Sequence, residues 1–168
     1  MWLRKVNNAD IEDVMQIFSQ ARMAQRNAGF RQWEDGYPSI EVLKADIDNN
    51  IGYVVEDEDT LVGYMAITTF DEEYERFQRL WADMGTYAVF HRIAISDAYR
   101  GKGLSKIIFD LAEELSRQLG AESIRIDTGI ENRPMQHILS KRNYTYLGTC
   151  DFVWGARFVY EKPLQKSQ

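Results

Sequence analysis

The residues whose types and spacing promise chemistry lie in one run: His91-Arg92-Ile93-Ala94-Ile95-Ser96-Asp97-Ala98-Tyr99-Arg100-Gly101-Lys102-Gly103-Leu104-Ser105. An apolar segment ends, a short polar link follows, and a turn with two glycines opens directly into an amphipathic segment. Glycines let a backbone approach an anion closely, and a helix N-terminus offers unpaired N–H donors and the positive end of a dipole. Arg100 and Lys102 add charge beside those donors. The physics asks for a phosphate-bearing ligand, a pyrophosphate first among them. A Walker A loop fails here, because Ser96 stands where its first glycine belongs and Gly103 where its hydroxyl belongs. A dinucleotide fingerprint fails as well: Lys106 occupies the third glycine, and no early βαβ unit precedes it.

Around this run the hydropathy pattern predicts the elements that must position it. Residues 2–6 read as a strand. Asn8 can cap a helix carried by Ile11, Val14, Met15, Phe18 and Ala21, and Ser39 a shorter one through Ile40, Leu43 and Ile47. Between them, Gln32 to Pro38 reads as a loop. Two strands at 51–56 and 61–70 flank the turn Asp57-Glu58-Asp59-Thr60, and Asp71 to Gly85 reads as a helix or an insertion. Thr86 to Ile95 is apolar on both faces apart from His91 and Arg92, as a central strand requires. Leu104, Ile107, Ile108, Leu111, Leu115 and Leu119 mark the strongest helix, with Gly120 as its stop. A strand through Ile124 and Ile126, a helix from about Arg133 to Arg142, and strands near 144–150 and 152–161 complete the chain.

At 168 residues the expectation is one domain. The single cysteine, Cys150, excludes an intrachain disulfide and reads as a buried small hydrophobe. The N-terminal residues lack the apolar core of a signal peptide, and no run nears the roughly 18 to 20 apolar residues of a membrane span, so a cytoplasmic location with no membrane partner is expected. A formal charge of −6 disfavours nucleic acid and mildly favours cationic partners. His91 and His137 are far apart, with no cysteine or carboxylate at ligand spacing, so no metal is expected.

The run Arg100-Gly101-Lys102-Gly103-Leu104-Ser105 resembles the acetyl-CoA motif R/Q-x-x-G-x-G/A of the GNAT superfamily of N-acetyltransferases, with Ser105 for the final Gly or Ala. A second resemblance, to N-x-x-A-x-x-L-Y-x-K-x-G-F, runs from Asn132 to Tyr144: Asn132, Ile138, Lys141 and Tyr144 fit, whereas Met135, Leu139 and Asn143 depart from it. The resemblance implies an α/β (α+β) single domain with a mixed, mostly antiparallel central sheet flanked by helices, splayed at the fourth and fifth strands. It implies acetyl transfer from acetyl-CoA to an amine by direct attack, with a small-molecule or peptide amine as acceptor. It further implies that backbone at Ile93, Ala94 and Ile95 pairs with the pantetheine arm, that amides from Arg100 to Ser105 hold the pyrophosphate, and that Asn132 and Lys141 contact the cofactor. Relatives often dimerise through terminal strands, which makes a homodimer one expectation.

The catalytic residues are less determined. Where many relatives carry the tyrosine that protonates the departing thiolate, this chain has Leu139; water, Ser140 or another tyrosine would have to substitute. That loss suggests a rival reading, a non-catalytic acyl-CoA-binding sensor or scaffold. Some relatives place a base glutamate early in the fourth strand, and the matching position here is Tyr87. His91 is the other base candidate, since an imidazole pKa near about 6.5 suits proton transfer at neutral pH; its alternative role is a packed, hydrogen-bonded histidine. Trp33, Glu34 and Tyr37 lie in the loop where this fold builds its acceptor site and would suit a cationic amine, although loop aromatics equally close cores. Asp127 at a strand end is open to a substrate role or a structural one.

Overall fold

A computed structural model of the protein describes residues 1–82 and 85–165. Its elements run β1 (Trp2–Lys5), α1 (Ile11–Asn27), α2 (Ile40–Asp48), β2 (Gly52–Asp57), β3 (Thr60–Thr68), α3 (Glu72–Glu75), β4 (Tyr87–Ile95), α4 (Leu104–Gln118), β5 (Ser123–Gly129), α5 (Arg133–Lys141), β6 (Thr145–Phe152) and β7 (Gly155–Pro163). The strand order is β1-β2-β3-β4-β5-β7-β6. The β1–β2, β2–β3, β5–β7 and β6–β7 pairs are antiparallel, whereas β4 and β5 run parallel from Tyr87↔Ser123 to Val89↔Arg125. The sheet is the mixed, mostly antiparallel one that was expected.

The residues gather into two compact units: Met1–Ile67 with His91–Ala112, and Thr68–Phe90 with the chain from Glu113 onward. In the first, the apolar stripe of α1 (Val14, Ile17, Phe18, Ala21) packs with Leu43 of α2, Val54 of β2, Tyr64 of β3 and Ala94 of β4. Fully burying a side chain such as Val14, Phe18, Leu43 or Val54 contributes about 1.5–3 kcal/mol. In the second, Tyr74, Trp81, Tyr87, Val89, Cys150, Phe152 and Val159 form the core.

Several boundaries differ from the sequence reading for local reasons. The cap before α1 is Asn7 and not Asn8: the Asn7 side chain accepts from Ala9 N–H while Asp10 accepts from Asn7 N–H, a reciprocal box around a 3-10 turn. Ser39 does cap α2, accepting from Val42 N–H at 3.3 Å. The second strand of the early hairpin ends at Thr68, because Thr68 Oγ1 bonds the Phe70 carbonyl and turns the chain. Of the segment 71–85, one helical turn forms, capped by Asp71 through Glu73 and Tyr74 N–H; Asp83 and Met84 lie outside the described residues. The final hairpin turns at Val153-Trp154, later than expected. At the other side of that hairpin, β6 shifts register between Tyr146 and Gly148.

Candidate functional site

The glycine turn grows out of the end of β4. Ser96 N–H bonds the Val62 carbonyl at 2.9 Å and Asp97 N–H bonds Gln20 Oε1 at 2.9 Å, which anchors the exit of the strand. A 3-10 turn at Asp97–Tyr99 follows, then Gly101 and Gly103 at φ +74° and +78°. A Cβ at either glycine would touch nothing within 4 Å, so the left-handed backbone, not crowding, is what requires them. The Arg100 and Lys102 amides turn back onto the Asp97 and Tyr99 carbonyls. The Gly101, Gly103, Leu104 and Ser105 amides have no acceptor among the described residues. Four free N–H groups at the start of a 15-residue helix fit an anion cradle.

Side chains around the loop divide the labour differently from the sequence reading. The Arg100 guanidinium folds back, donating to Asp97 Oδ1 at 2.7 Å and to the Ile95 carbonyl at 3.2 Å, so it braces the strand–loop junction. Lys102 is exposed, with its ammonium 5.8 Å from the Tyr99 ring. Leu104 and Ala94 are buried and have only backbone to offer, whereas Ile93, Ile95 and Ser105 are half-buried.

The same unit holds the acceptor-loop candidates. Trp33 is 6% exposed and packs edge-on against Phe18 within the core of this unit. Glu34 is exposed and pairs with Arg31. Tyr37 is 39% exposed, and its hydroxyl accepts from Arg92 Nη1 at 3.2 Å. His91 is half-buried. Next to it, Arg92 stands at φ +53°, the left-handed region, inside the strand. Its guanidinium forks onto Asp46 of α2, with Nε to Oδ2 at 2.8 Å. Burial opposes the Arg92 charge, and the Asp46 carboxylate more than offsets it, raising the pKa of the guanidinium.

Tyr87, Asn132 and Lys141 belong to the other unit. Tyr87 is buried, donates a short hydrogen bond to Glu75, and lies with its ring centroid 3.9 Å from the Arg125 guanidinium. Burial, then the Glu75 bond, pushes its pKa up to about 12, so the phenol keeps its proton at neutral pH. Asn132 caps α5, its side chain accepting from Met135 N–H at 3.1 Å. Lys141 is exposed at the last turn of that helix, and Leu139 is fully buried. Asn143, just after α5, stands at φ +63°, a conformation asparagine tolerates better than most residues. Burial also raises the Cys150 thiol, in keeping with an inert packing role. His137 is exposed on α5.

Asp127 is held in place by three donors: Tyr74, Trp154 (3.2 Å) and Arg157 (2.9 Å) all donate to its carboxylate. Two residues that the sequence did not single out, Glu75 and Asp46, partner Tyr87 and Arg92 from 12 and 46 residues away. No local spacing signals such pairs. A cleft of about 670 Å³ lies beside Glu75, Phe77, Leu80 and Cys150. Among the described residues no three His, Cys, Asp or Glu side chains group as a metal site, and no helix is long and apolar enough to cross a membrane.

The model of the acetyltransferase (GNAT) family matches residues 11–144. The chain belongs to the GNAT acetyltransferase family. A GNAT acetyltransferase from Streptococcus agalactiae is 32% identical, with 98% of this chain and 95% of that one covered at a TM-score of 0.86. The fold also matches yncA of Salmonella typhimurium, solved with its cofactor acetyl-CoA (13% identity, 100% and 96% covered, TM-score 0.67). It matches as well the PaiA N-acetyltransferase of Thermoplasma acidophilum in complex with coenzyme A (18% identity, 96% and 97% covered, TM-score 0.69). No curated protein matches the chain.

Proposed function

We propose that this GNAT protein transfers an acetyl group from acetyl-CoA to a primary amine, within a single catalytic domain spanning residues 1–168. The observation that carries the reading is the set of four unpaired amides at Gly101, Gly103, Leu104 and Ser105, held by two left-handed glycines at a helix N-terminus. Acetyl-CoA supplies a thioester and a pyrophosphate, and the family's relatives solved with acetyl-CoA and coenzyme A support that choice. In this reading the loop amides hold the pyrophosphate, and the backbone of Ile93, Ala94 and Ile95 meets the pantetheine. Asn132 and Lys141 contact the cofactor from α5. Tyr37 and Glu34 face the acceptor amine.

A primary amine with a pKa near about 10.4 must lose a proton before it attacks. The amine nitrogen then bonds the thioester carbon, the C–S bond breaks, and the sulfur leaves as thiolate. His91 is the proposed base. Tyr87 holds its proton too firmly to act as a free base and serves in the reading only as a relay to Glu75. Leu139 has no proton to give, and a thiol pKa near about 8.5 makes thiolate a tolerable leaving group without a strong acid. A cytoplasmic location belongs to the same proposal, supported by the buried thiol of Cys150, the sole cysteine.

The second reading, a non-catalytic acyl-CoA sensor, is favoured by one observation: Leu139 is fully buried where a tyrosine hydroxyl would act. A thermal-shift titration with acetyl-CoA, CoA and ATP tests the shared part. A ligand at 100 times its Kd adds about 2.7 kcal/mol, or about 5 to 11 °C for a chain of this size. Stabilisation by both CoA forms but not by ATP is expected, and an amine panel scored by thiol release then separates enzyme from sensor. No shift with either CoA form at saturation would sink both readings.

A further inference from the structure

The guanidinium of Arg92 sits where a strand residue adopts a conformation that disfavours every side chain. A left-handed backbone in an L-residue costs roughly 1–2 kcal/mol, and glycine would avoid that strain. This chain instead keeps arginine at φ +53°, immediately before Ile93-Ala94-Ile95. What holds it is a cluster assembled from three further elements. Asp46 of α2, 5% exposed, receives Arg92 Nε at 2.8 Å and Nη2 as a fork. The other claim on Asp46 is the hydroxyl of Tyr64 on β3, fully buried and donating to Oδ2 at 2.6 Å. Gly52 on β2 makes the room: a Cβ there would lie 2.8 Å from Tyr64 Oη and 3.3 Å from Asp46 Cβ. The third nitrogen of Arg92 reaches Tyr37 of the preceding loop.

A charge pair this enclosed stabilises a fold poorly compared with apolar packing, because desolvation opposes it. It does fix geometry, since a forked guanidinium–carboxylate pair admits few orientations. We propose that Arg92, held by Asp46, is a positioning residue that locks the left-handed kink of β4 and so presents the amides and carbonyls of Ile93–Ile95 to the pantetheine arm. The proposal rests on the acyltransferase reading, and two readouts keep their failures apart.

The first readout needs no ligand. Hydrogen exchange at the amides of residues 93–95 in the free protein should be faster in Asp46→Asn and in Arg92→Ala than in the parent, with α1 amides unchanged below the melting transition. The second is CoA affinity by calorimetry. Asp46→Asn and Arg92→Ala should weaken it by about 5- to 150-fold, the usual span of a coupling between a site and a remote pair. Arg92→Gly takes the left-handed backbone without strain but carries no guanidinium, so its amides at 93–95 should still exchange faster than in the parent. Unchanged exchange at 93–95 in folded Asp46→Asn would overturn the proposal, and so would equal CoA affinities in parent, Asp46→Asn and Arg92→Ala. If the parent itself fails to bind CoA, the acyltransferase reading falls, and the exchange rates alone then decide the role of the pair.

Discussion

The loop assignment makes a sharp prediction at Gly103, where shape and charge can be separated. The backbone there is left-handed at φ +78° and a new Cβ would meet nothing within 4 Å. Asparagine and aspartate are the side chains that best accept such a backbone, and this chain already uses them at Asn50 (φ +56°), Asn143 (φ +63°) and Asp35 (φ +53°). Gly103→Asn and Gly103→Asp should therefore fold alike and differ by one negative charge beside the amides of Leu104 and Ser105. Two unit charges about 4 Å apart interact by about 1 kcal/mol in bulk water and about 4 kcal/mol at the effective dielectric of a protein surface. The aspartate variant should bind CoA more weakly than the asparagine variant by that margin, about 5- to 800-fold in Kd. Calorimetric titration at low salt and again near 1 M salt measures it, and the gap should narrow as the Debye length falls from about 10 Å at 0.1 M to about 3 Å. Equal affinities of the two variants at low salt would show that no phosphate lies at this loop, and the cofactor assignment would go with it.

Three further outcomes follow from the geometry. His91→Ala should lower kcat and leave acetyl-CoA affinity nearly unchanged; a pH profile of kcat identical to that of the parent would remove His91 from the mechanism. Glu113, 5% exposed, accepts from Arg142, Lys162 (2.8 Å) and Tyr144 (3.3 Å), so Glu113→Ala removes the buried carboxylate they share and should cost about 3–5 kcal/mol in urea melts; a loss below about 1 kcal/mol would refute that account. Asp10 is held below its ordinary carboxylate range, first by its hydrogen bonds to Arg4. A depressed carboxyl stabilises the fold above its unfolded pKa of about 3.9 and loses that contribution as pH falls toward its folded value. Parent and Asp10→Asn should therefore differ in stability at pH 6 and converge toward pH 2, and a constant difference across that range would contradict the assignment.

What could be read from the sequence was whatever a local rule governs. Helix α4 followed from a 3.6-residue repeat, the cap of α2 from one serine, and the left-handed turn before α4 from its two glycines. Long-range choices were not legible. Whether Trp33 meets a ligand or the core depends on Phe18, fifteen residues away, and the role of Asp127 depends on Tyr74, Trp154 and Arg157. The last hairpin was misplaced because its turn carries Val153 and Trp154, both apolar and both exposed, in place of polar turn residues. The left-handed backbone of Arg92 could not be read from residue type, since arginine is not a residue that announces such a backbone.

The irregular outer strand has a bearing on how copies of this molecule behave in company. β6 ends the sheet order, and an end strand turns a row of unsatisfied donors and acceptors toward any passing chain. The register shift between Tyr146 and Gly148 interrupts that row, and Gly148 at φ +126° bends it away from a flat template. A straight ribbon of strands cannot propagate across such a kink. Where copies of the molecule crowd together, this edge is a poor template for open-ended strand addition.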